Sequence, residues 1–152
     1  MIIPKQDKNL HDLIQRLQGP QEDPVKSFMF RNAYFFSDFK PQSTSPRYLH
    51  TTRYITRTSV SKIGYAAKSV INPRQCLVMQ NHYCMEKIPG LSYRYVDPSI
   101  ALLQHYKKCH LGKTECDKML KTPQVDNSIS QYTDDLRSRV LSVINILNIT
   151  VT

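Results

Sequence analysis

The residues of this chain that could do chemistry lie in a basic stretch and in two short histidine-bearing segments. Between Lys40 and Met85 there are seven Lys or Arg residues and no Asp or Glu. Lys68 stands inside that stretch at the end of an apolar run, His82 stands near its end, and His105 follows in the next apolar run. Positive charge and imidazole in such places favour an anionic ligand, and a neutral imidazole can also ligate a metal.

Each of these side chains also has an ordinary structural explanation. Lys68 and Ser69 could hold a phosphate, or Lys68 could simply face solvent. His82 could contact a ligand or pack as a structural histidine. In a strand, positions two apart share one face, so His105 and Lys107 could bind metal and phosphate together. The alternatives for that pair are a hydrogen-bonded core histidine and a solvated lysine.

Length and net charge limit the classes of fold and partner. The 152 residues support one domain with a real core, and the ordinary apolar share argues against wholesale disorder. A net charge of +9 indicates an acidic partner, which is phosphate, nucleic acid or a membrane surface. No apolar run approaches the roughly 20 residues that span a bilayer, and Lys5, Asp7 and Lys8 interrupt any signal-peptide core.

Periodicity and turn residues predict helices and short strands around the candidate residues. Apolar residues at helical spacing predict a helix over 9–18, which Gly19 and Pro20 end. An aromatic-rich segment predicts one strand over 27–36. The remaining expectations are a loop over 39–62 in which 53–56 could form a short strand, short strands at 65–71, 76–79 and 100–106, and a turn-rich connection over 90–98.

The last predicted helix, from Thr133 onward, has the strongest pattern. Thr133 is the N-cap candidate, and Asp134 and Asp135 in the first turn interact favourably with the helix dipole. Asp135 and Arg139 form an i, i+4 pair. An apolar stripe is expected to pack on the domain, with a partner helix as the alternative. The stripe consists of Leu136, Val140, Val143, Ile144 and Leu147.

Cysteines and one sequon carry information about the compartment. The four cysteines allow three pairings, and the favoured ones are Cys109–Cys116 and then Cys76–Cys84. Four reduced thiols in a cytosolic protein are the alternative, and the spacing is too sparse for a zinc site. Asn148-Ile149-Thr150 is an N-glycosylation sequon, so Asn148 is a candidate glycan acceptor. Together these features favour a secretory compartment.

Six short segments follow one another in an order that is typical of one known family. They are Met1-Ile2-Ile3-Pro4, the helix over 9–17, Ser27-Phe28-Met29-Phe30, Ala67-Lys68-Ser69-Val70-Ile71-Asn72-Pro73, Asn81-His82-Tyr83 and His105-Tyr106-Lys107. In this order they resemble the C-terminal part of the catalytic domain of glycosyltransferase family 92, formerly a domain of unknown function. The resemblance covers roughly residues 1–120. Val70 and Lys107 replace the usual Ile and Arg, and Lys107 keeps the charge but loses the bidentate fork.

The resemblance implies an α/β fold, the C-terminal portion of a GT-A-like glycosyltransferase domain with a mixed sheet and flanking helices. Residues 1–125 would belong to the catalytic domain. Residues 126–152 would form an amphipathic helix and tail that pack on it. The strands over 27–36, 65–79 and 100–106 would join one mixed sheet.

The resemblance also implies an enzyme. Family members are metal-dependent transferases that move a hexose, galactose in the best-known case, from a UDP-sugar to a glycan acceptor. Their Asp-x-Asp-Glu metal motif would precede Met1, so we expect this chain to be a fragment that is inactive alone. The complete protein would use Mn²⁺ and lie in the Golgi lumen as a type II membrane glycoprotein, held by an N-terminal anchor that this sequence lacks.

Within that activity, each candidate residue has an implied role. Four residues would bind the donor and its diphosphate, namely Lys68, Ser69, His82 and Lys107. His105 would be a metal ligand or a second diphosphate contact. An inverting transferase needs a carboxylate base, and Asp38 is the candidate because it follows the aromatic segment and precedes the basic stretch.

A basic nucleic-acid- or polyanion-binding module without catalysis is the alternative function. Arginine and tyrosine are interleaved over 47–65, which could hold a phosphate backbone and stack bases. No recognised nucleic-acid motif is present, so nucleic acid is not the expected partner. A third interpretation is a pseudoenzyme fragment that folds only with further residues. Steep salt dependence of RNA or DNA binding would favour the alternative, whereas metal-dependent nucleotide-sugar binding would favour the enzyme.

Overall fold

The computed structural model describes residues 1–19, 27–90 and 92–150. The chain divides into two compact units. Unit 1 comprises residues 1–34 and 59–105, and unit 2 comprises residues 35–58 and 106–152. Two sequence predictions involve residues outside the described ranges. These are Pro20 in the predicted helix stop and Leu91 in the predicted 90–98 connection.

The described part of unit 1 is built from one α-helix and several short strands. Its elements are β1 (Ile2–Pro4), α1 (Leu10–Gln18), β2 (Ser27–Phe30), the start of β3 (Asn32–Phe36), β5 (Lys68–Val70), β6 (Cys76–Met79), β7 (Cys84–Lys87), β8 (Tyr93–Val96) and most of β9 (Ala101–Lys107). Strand β9 lies between β1 and β3 in one sheet, and β2 lies between β5 and β8 in a second. Strand β2 runs antiparallel to β5 and parallel to β8, while β6 and β7 form an antiparallel hairpin.

The core of unit 1 forms between α1 and the two sheets. Helix α1 begins where the Asn9 side chain accepts a hydrogen bond from the Asp12 amide at 2.9 Å. Leu13 and Leu17 lie four residues apart on one face of the helix and are buried. They pack in one cluster with Phe28, Phe30, Val96, Ala101 and Leu103. This cluster fixes β2, and β2 in turn holds β5, the strand that carries Lys68 and Ser69.

The described part of unit 2 contains the ends of β3 and β9, three α-helices and a small two-stranded sheet. Its further elements are α2 (His50–Arg53), β4 (Thr56–Arg57), α3 (Lys113–Leu120), β10 (Gln124–Val125) and α4 (Thr133–Ile146). Strands β4 and β10 pair antiparallel. Phe35 packs against Tyr106 with ring centroids 4.9 Å apart, and the ring centroids of Phe36 and Phe39 lie 6.2 Å apart. Phe35, Phe36 and Phe39 are all buried, so these contacts belong to the interior of the unit.

The mixed α/β class predicted from the sequence is confirmed, but the prediction of one mixed sheet is wrong. The described residues form several small sheets. The predicted single strand over 27–36 is interrupted at Arg31, so that β2 and β3 belong to different sheets. The Arg31 guanidinium donates to the Ser61 carbonyl oxygen at 2.9 and 2.7 Å, and the Ser61 amide donates to Asn32 at 2.8 Å. These hydrogen bonds fix the backbone at Arg31, where β2 ends and β3 begins.

Three local predictions are also corrected. The 90–98 connection contains β8, whose parallel pairing with β2 outweighs its glycine and proline neighbours. The 53–56 segment is the end of α2 and the start of β4 rather than one strand. Thr133 is the first residue of α4 and not its N-cap, because a 3₁₀ turn over Ser128–Tyr132 leads directly into the helix.

Other elements agree closely with the sequence prediction. Helix α1 and strands β6 and β9 lie where the pattern placed them. The Asp135–Arg139 pair forms at 3.1 Å. Along the apolar stripe of α4, Leu136, Val140 and Ile144 are half-buried, whereas Val143 and Leu147 are exposed. Among the described residues, no helix has both the length and the hydrophobicity that crossing a bilayer requires.

Candidate functional site

Three of the four residues predicted to bind a donor come together in unit 1. Lys68 and Ser69 lie on β5, and His82 lies in the short loop between β6 and β7. The Ser69 hydroxyl donates to the His82 carbonyl oxygen at 2.7 Å. The Lys68 ammonium donates to the Asn81 carbonyl oxygen at 2.7 Å. The loop is therefore held against the strand, and we call this group of Lys68, Ser69 and His82 the basic cluster.

A third bond orients the imidazole of the basic cluster. His82 Nδ1 lies 2.6 Å from the carbonyl oxygen of Ala67. A carbonyl oxygen can only accept, so Nδ1 carries a hydrogen and Nε2 remains as the second ring atom available for a ligand. All three bonds use backbone carbonyl oxygens, which carry no sequence signal. The sequence could therefore name the cationic side chains but not the acceptors that position them.

The loop that carries His82 has two further restraints. A disulfide joins Cys76 to Cys84 across the β6–β7 hairpin, and this is one of the pairs that the sequence favoured. The Cys84 amide donates to the Tyr93 hydroxyl at 2.6 Å. Tyr93 belongs to β8, a strand that the sequence pattern does not predict. The basic cluster is thus preorganised by covalent and hydrogen bonds before any ligand arrives.

The basic cluster can supply positive charge and hydrogen-bond donors to an anion. An ammonium group has three N–H donors, and Asn81 occupies one donor of Lys68. The His82 ring can donate through Nε2 to a phosphate oxygen when it is doubly protonated. Both side chains are half-buried, which reduces solvent screening of their charge. A phosphate or diphosphate group matches this arrangement chemically.

The segment that begins with the basic cluster also lines a cavity of about 310 Å³ in unit 1. Its walls are apolar with two carboxamide side chains. The lining residues are Ile14, Gln18, Phe28, Val70, Ile71, Asn72 and Pro73. Residues 68–73 therefore border both a cationic surface and an apolar recess, a feature that the sequence pattern did not predict.

His105 lies in unit 1 against an aromatic ring. Its imidazole stacks on Tyr34 with centroids 5.5 Å apart and planes inclined by 22°. Tyr34 is buried, and this burial raises the pKa of its phenol. Among the described residues, no group of three or more His, Cys, Asp or Glu side chains could hold a metal ion. The role of His105 as a metal ligand therefore stays a prediction.

Asp38 and Lys107 belong to unit 2, where backbone groups connect their segments. The Ser37 amide donates to the Lys107 carbonyl oxygen at 3.1 Å. The exposed Asp38 carboxylate accepts a hydrogen bond from the Cys109 amide at 3.0 Å. Cys109 begins the loop that a disulfide closes at Cys116, and this is the pair that the sequence favoured first. Asp38 therefore has a structural role at this loop, and its role as a base remains a prediction.

Unit 2 also contains a buried ion pair that uses an arginine of the basic stretch. Arg57 Nε lies 2.9 Å from Asp126 Oδ2, with side-chain exposures of only 13% and 4%. The nearby Tyr106 hydroxyl donates to the Thr51 carbonyl oxygen at 3.0 Å. Burial, and secondarily the Asp126 carboxylate, raises the pKa of Tyr106. Because Arg57 is engaged inside the unit, it cannot belong to an exposed row of cations that follows a nucleic-acid backbone.

A second cavity, of about 260 Å³, lies within unit 2. Most of the residues that line it are polar, and the hydroxyls of several of them donate to backbone carbonyl oxygens. The lining residues are Gln42, Thr44, Ser45, Pro46, Leu49, Thr52, Ile55, Asn127, Ile129, Ser130, Thr133 and Arg137. Sequence reasoning gave no indication of this cavity.

Comparison with known proteins decides the family. The sequence model of glycosyltransferase family 92 matches residues 1–140, which include every candidate site residue named above except Asn148. The chain belongs to glycosyltransferase family 92. Neither the curated proteins nor the solved structures contain a match to it. Membership in family 92 supports glycosyltransferase activity, with a sugar donor and an acceptor as the general substrates.

Proposed function

We propose that this family 92 chain binds the diphosphate of a UDP-sugar, from which a hexose, galactose in the first instance, is transferred to a glycan acceptor. The observation that carries the proposal is the basic cluster. Lys68 and His82 present an ammonium and an imidazole whose positions are fixed by hydrogen bonds of 2.7 and 2.6 Å. Such preorganised donors suit a leaving group on which negative charge develops.

The chemistry of sugar transfer explains why cations are needed. The acceptor oxygen forms a bond to the anomeric carbon while the bond from that carbon to the diphosphate breaks. The electron pair of the broken bond stays on the departing diphosphate, and the acceptor hydroxyl loses its proton to a base. Lys68 and His82 would stabilise the departing diphosphate, and Asp38 is the proposed base. Lys107 is proposed as a further cation for the donor.

The apolar recess beside the basic cluster supports an elongated ligand. A nucleotide-sugar carries charge in its diphosphate and less polar surface in its base and sugar. The segment 68–73 contributes Lys68 and Ser69 to the basic cluster at one end, and its other end lines the 310 Å³ cavity. The proposal places the diphosphate at Lys68 and an uncharged part of the donor toward Val70 and Asn72.

The metal and the compartment are proposed from the family and the cysteines. Mn²⁺ belongs to the proposal as the ion that would neutralise the diphosphate in the complete enzyme, with His105 as one contributor. Among the described residues, no group of three or more His, Cys, Asp or Glu side chains could hold the ion, and the transfer step above uses only residues of this chain. Two disulfides support an oxidising compartment, and the Golgi lumen is the proposed location.

Substitution of Lys68 tests the proposal. Lys68→Met in the full gene product should weaken UDP binding about tenfold or more, because a charge-assisted hydrogen bond contributes about 1.5–3 kcal/mol. Lys68→Arg should retain much of the affinity because it keeps the charge. Lys62→Met is the matched control, since Lys62 is an exposed lysine of the same unit and the same basic stretch.

UDP binding and sugar transfer are compared among the three variants. Calorimetric titration with UDP in the presence of Mn²⁺, and transfer from UDP-galactose to a glycan mixture, give the two readouts. Equal losses in Lys68→Met and Lys62→Met would contradict a specific role for the basic cluster. Tight, steeply salt-dependent binding of single-stranded RNA with no UDP binding would favour the nucleic-acid alternative.

A further inference from the structure

The C-terminal end of α4 has a defined backbone motif around Asn148. The Asn148 amide donates to the Asn145 carbonyl oxygen at 3.2 Å, and the Ile149 amide donates to Ile144 at 3.1 Å. Asn148 has a φ of +50°, in the left-handed region. These two bonds and this conformation define a Schellman cap, in which the left-handed residue is usually glycine and sometimes asparagine.

The cap explains an asparagine at position 148 but not the residue two positions later. Thr150 completes the triplet Asn148-Ile149-Thr150, which is an acceptor sequon for N-linked glycans. Asn148 is exposed, and its backbone amide is engaged in the cap, so the side-chain amide can point to solvent without breaking the helix end. We propose that Asn148 carries an N-linked glycan.

The surface around Asn148 gives a physical reason for a glycan at this position. Four apolar side chains on both sides of Asn148 are more than half exposed. They are Val143 at 53%, Ile146 at 76%, Leu147 at 60% and Ile149 at 52%. Exposed apolar groups that lie together promote association. A bulky, hydroxyl-rich glycan on Asn148 covers this surface and keeps the helix end soluble.

The cysteines provide an independent indication of the compartment in which the modification occurs. All four cysteines are paired, as Cys76–Cys84 and Cys109–Cys116. Disulfides persist in the oxidising lumen of the secretory pathway, where N-glycans are also attached. In this respect the inference rests on the lumenal location given under the proposed function. The family match ends at residue 140, so the glycan site lies outside the part shared with the family.

The modification is a balanced group transfer. A lipid-diphosphate-linked oligosaccharide is the co-reactant. A bond forms between Asn148 Nδ2 and the anomeric carbon, and the bond from that carbon to the lipid diphosphate breaks. The lipid diphosphate leaves with the electron pair, and Nδ2 loses one proton.

The test compares matched variants of the full gene product expressed in animal cells. Thr150→Ala destroys the sequon without touching the left-handed residue, and Thr150→Ser restores it. Asn148→Asp removes the acceptor amide but keeps a residue that tolerates the left-handed conformation. Asn145→Gln is the control, because Asn145 is exposed on the same helix and Leu147 stands where a sequon would need Ser or Thr.

The readouts are electrophoretic mobility before and after peptide N-glycosidase, mass spectrometry of the tryptic peptide that follows Arg139, and alkylation of thiols. We expect a glycosidase-sensitive shift that Thr150→Ala and Asn148→Asp abolish and that Thr150→Ser and Asn145→Gln keep. The peptide should show conversion of Asn148, and not of Asn145, to Asp after treatment.

Two negative results overturn the inference in distinguishable ways. An unmodified Asn148 in a protein whose cysteines resist alkylation would mean that the chain reached the lumen but is not glycosylated there. That result refutes the glycan and leaves the proposed function standing. An unmodified Asn148 with alkylated cysteines would refute both the glycan and the lumenal location.

Discussion

The buried ion pair in unit 2 yields a quantitative prediction about stability. Asp126 accepts hydrogen bonds from Arg57 Nε at 2.9 Å and from the Ser128 amide and hydroxyl at 3.1 and 2.5 Å. Asp126→Ala removes the carboxylate that accepts these three hydrogen bonds. The Arg57 guanidinium then keeps two neutral acceptors, the Gln124 side-chain oxygen at 2.6 Å and the Thr58 carbonyl oxygen at 2.9 Å. Removing one partner of a buried pair costs about 3–5 kcal/mol, because the remaining charge stays desolvated.

The exposed Asp135–Arg139 pair provides the matched control. Its side chains are 67% and 77% exposed, compared with 4% and 13% for Asp126 and Arg57. Exposed helical pairs contribute about 0.3–0.5 kcal/mol. Asp135→Ala should therefore reduce the free energy of unfolding several-fold less than Asp126→Ala, although both changes remove one carboxylate and one ion pair.

Urea denaturation followed by circular dichroism, with both disulfides intact, measures the two effects. We expect a large decrease in the midpoint for Asp126→Ala and almost none for Asp135→Ala. The double change Arg57→Met with Asp126→Leu should recover much of the loss, because no charge is then buried alone. Equal midpoint shifts for the two alanine variants would refute the reasoning that burial determines the cost.

Three further predictions concern the basic cluster, the buried tyrosine and a disulfide. Ser69→Ala removes the hydroxyl that fixes the histidine loop, and it should cost about 1 kcal/mol of stability and weaken UDP binding; unchanged titration curves would contradict this. Because the pKa of Tyr106 is raised in the folded state, the unfolded chain loses this proton first, so the urea midpoint should fall above about pH 10 and Tyr106→Phe should lessen that fall. Replacing Cys76 and Cys84 with serine should cost stability toward the lower end of about 2–4 kcal/mol, since the loop is short. The same change should weaken UDP binding; binding that survives it unaltered would show that the loop needs no covalent restraint.

Strong local patterns made part of the fold predictable. Helix α1 agrees with its prediction because apolar periodicity and the Asn9 cap act within ten residues of chain. Strand β8 was missed because its pairing partner, β2, lies far away in sequence, and because turn residues surround it. The break at Arg31 was missed for the same kind of reason, since the Ser61 carbonyl that holds it has no recognisable sequence signature.

The candidate site was predictable in its side chains but not in its geometry. Residue type marked Lys68 and His82, and the order of motifs marked the family. Backbone acceptors at Ala67 and Asn81 decide where those side chains lie, and such acceptors are set by tertiary structure alone. The same holds for Asp38, whose position in sequence marked it as a candidate base, whereas the Cys109 amide that donates to its carboxylate has no sequence signature.

Hydrogen–deuterium exchange in the presence of UDP tests most directly whether the basic cluster is where the donor binds. The measurement uses the full gene product with Mn²⁺ and needs no substitution that could disturb folding. UDP should slow amide exchange in β5 and in the Gln80–Tyr83 loop, which its diphosphate would bridge, and should leave α4 unchanged. Saturating UDP that protects other segments and leaves both of these unaffected would contradict the assignment of the donor to Lys68 and His82.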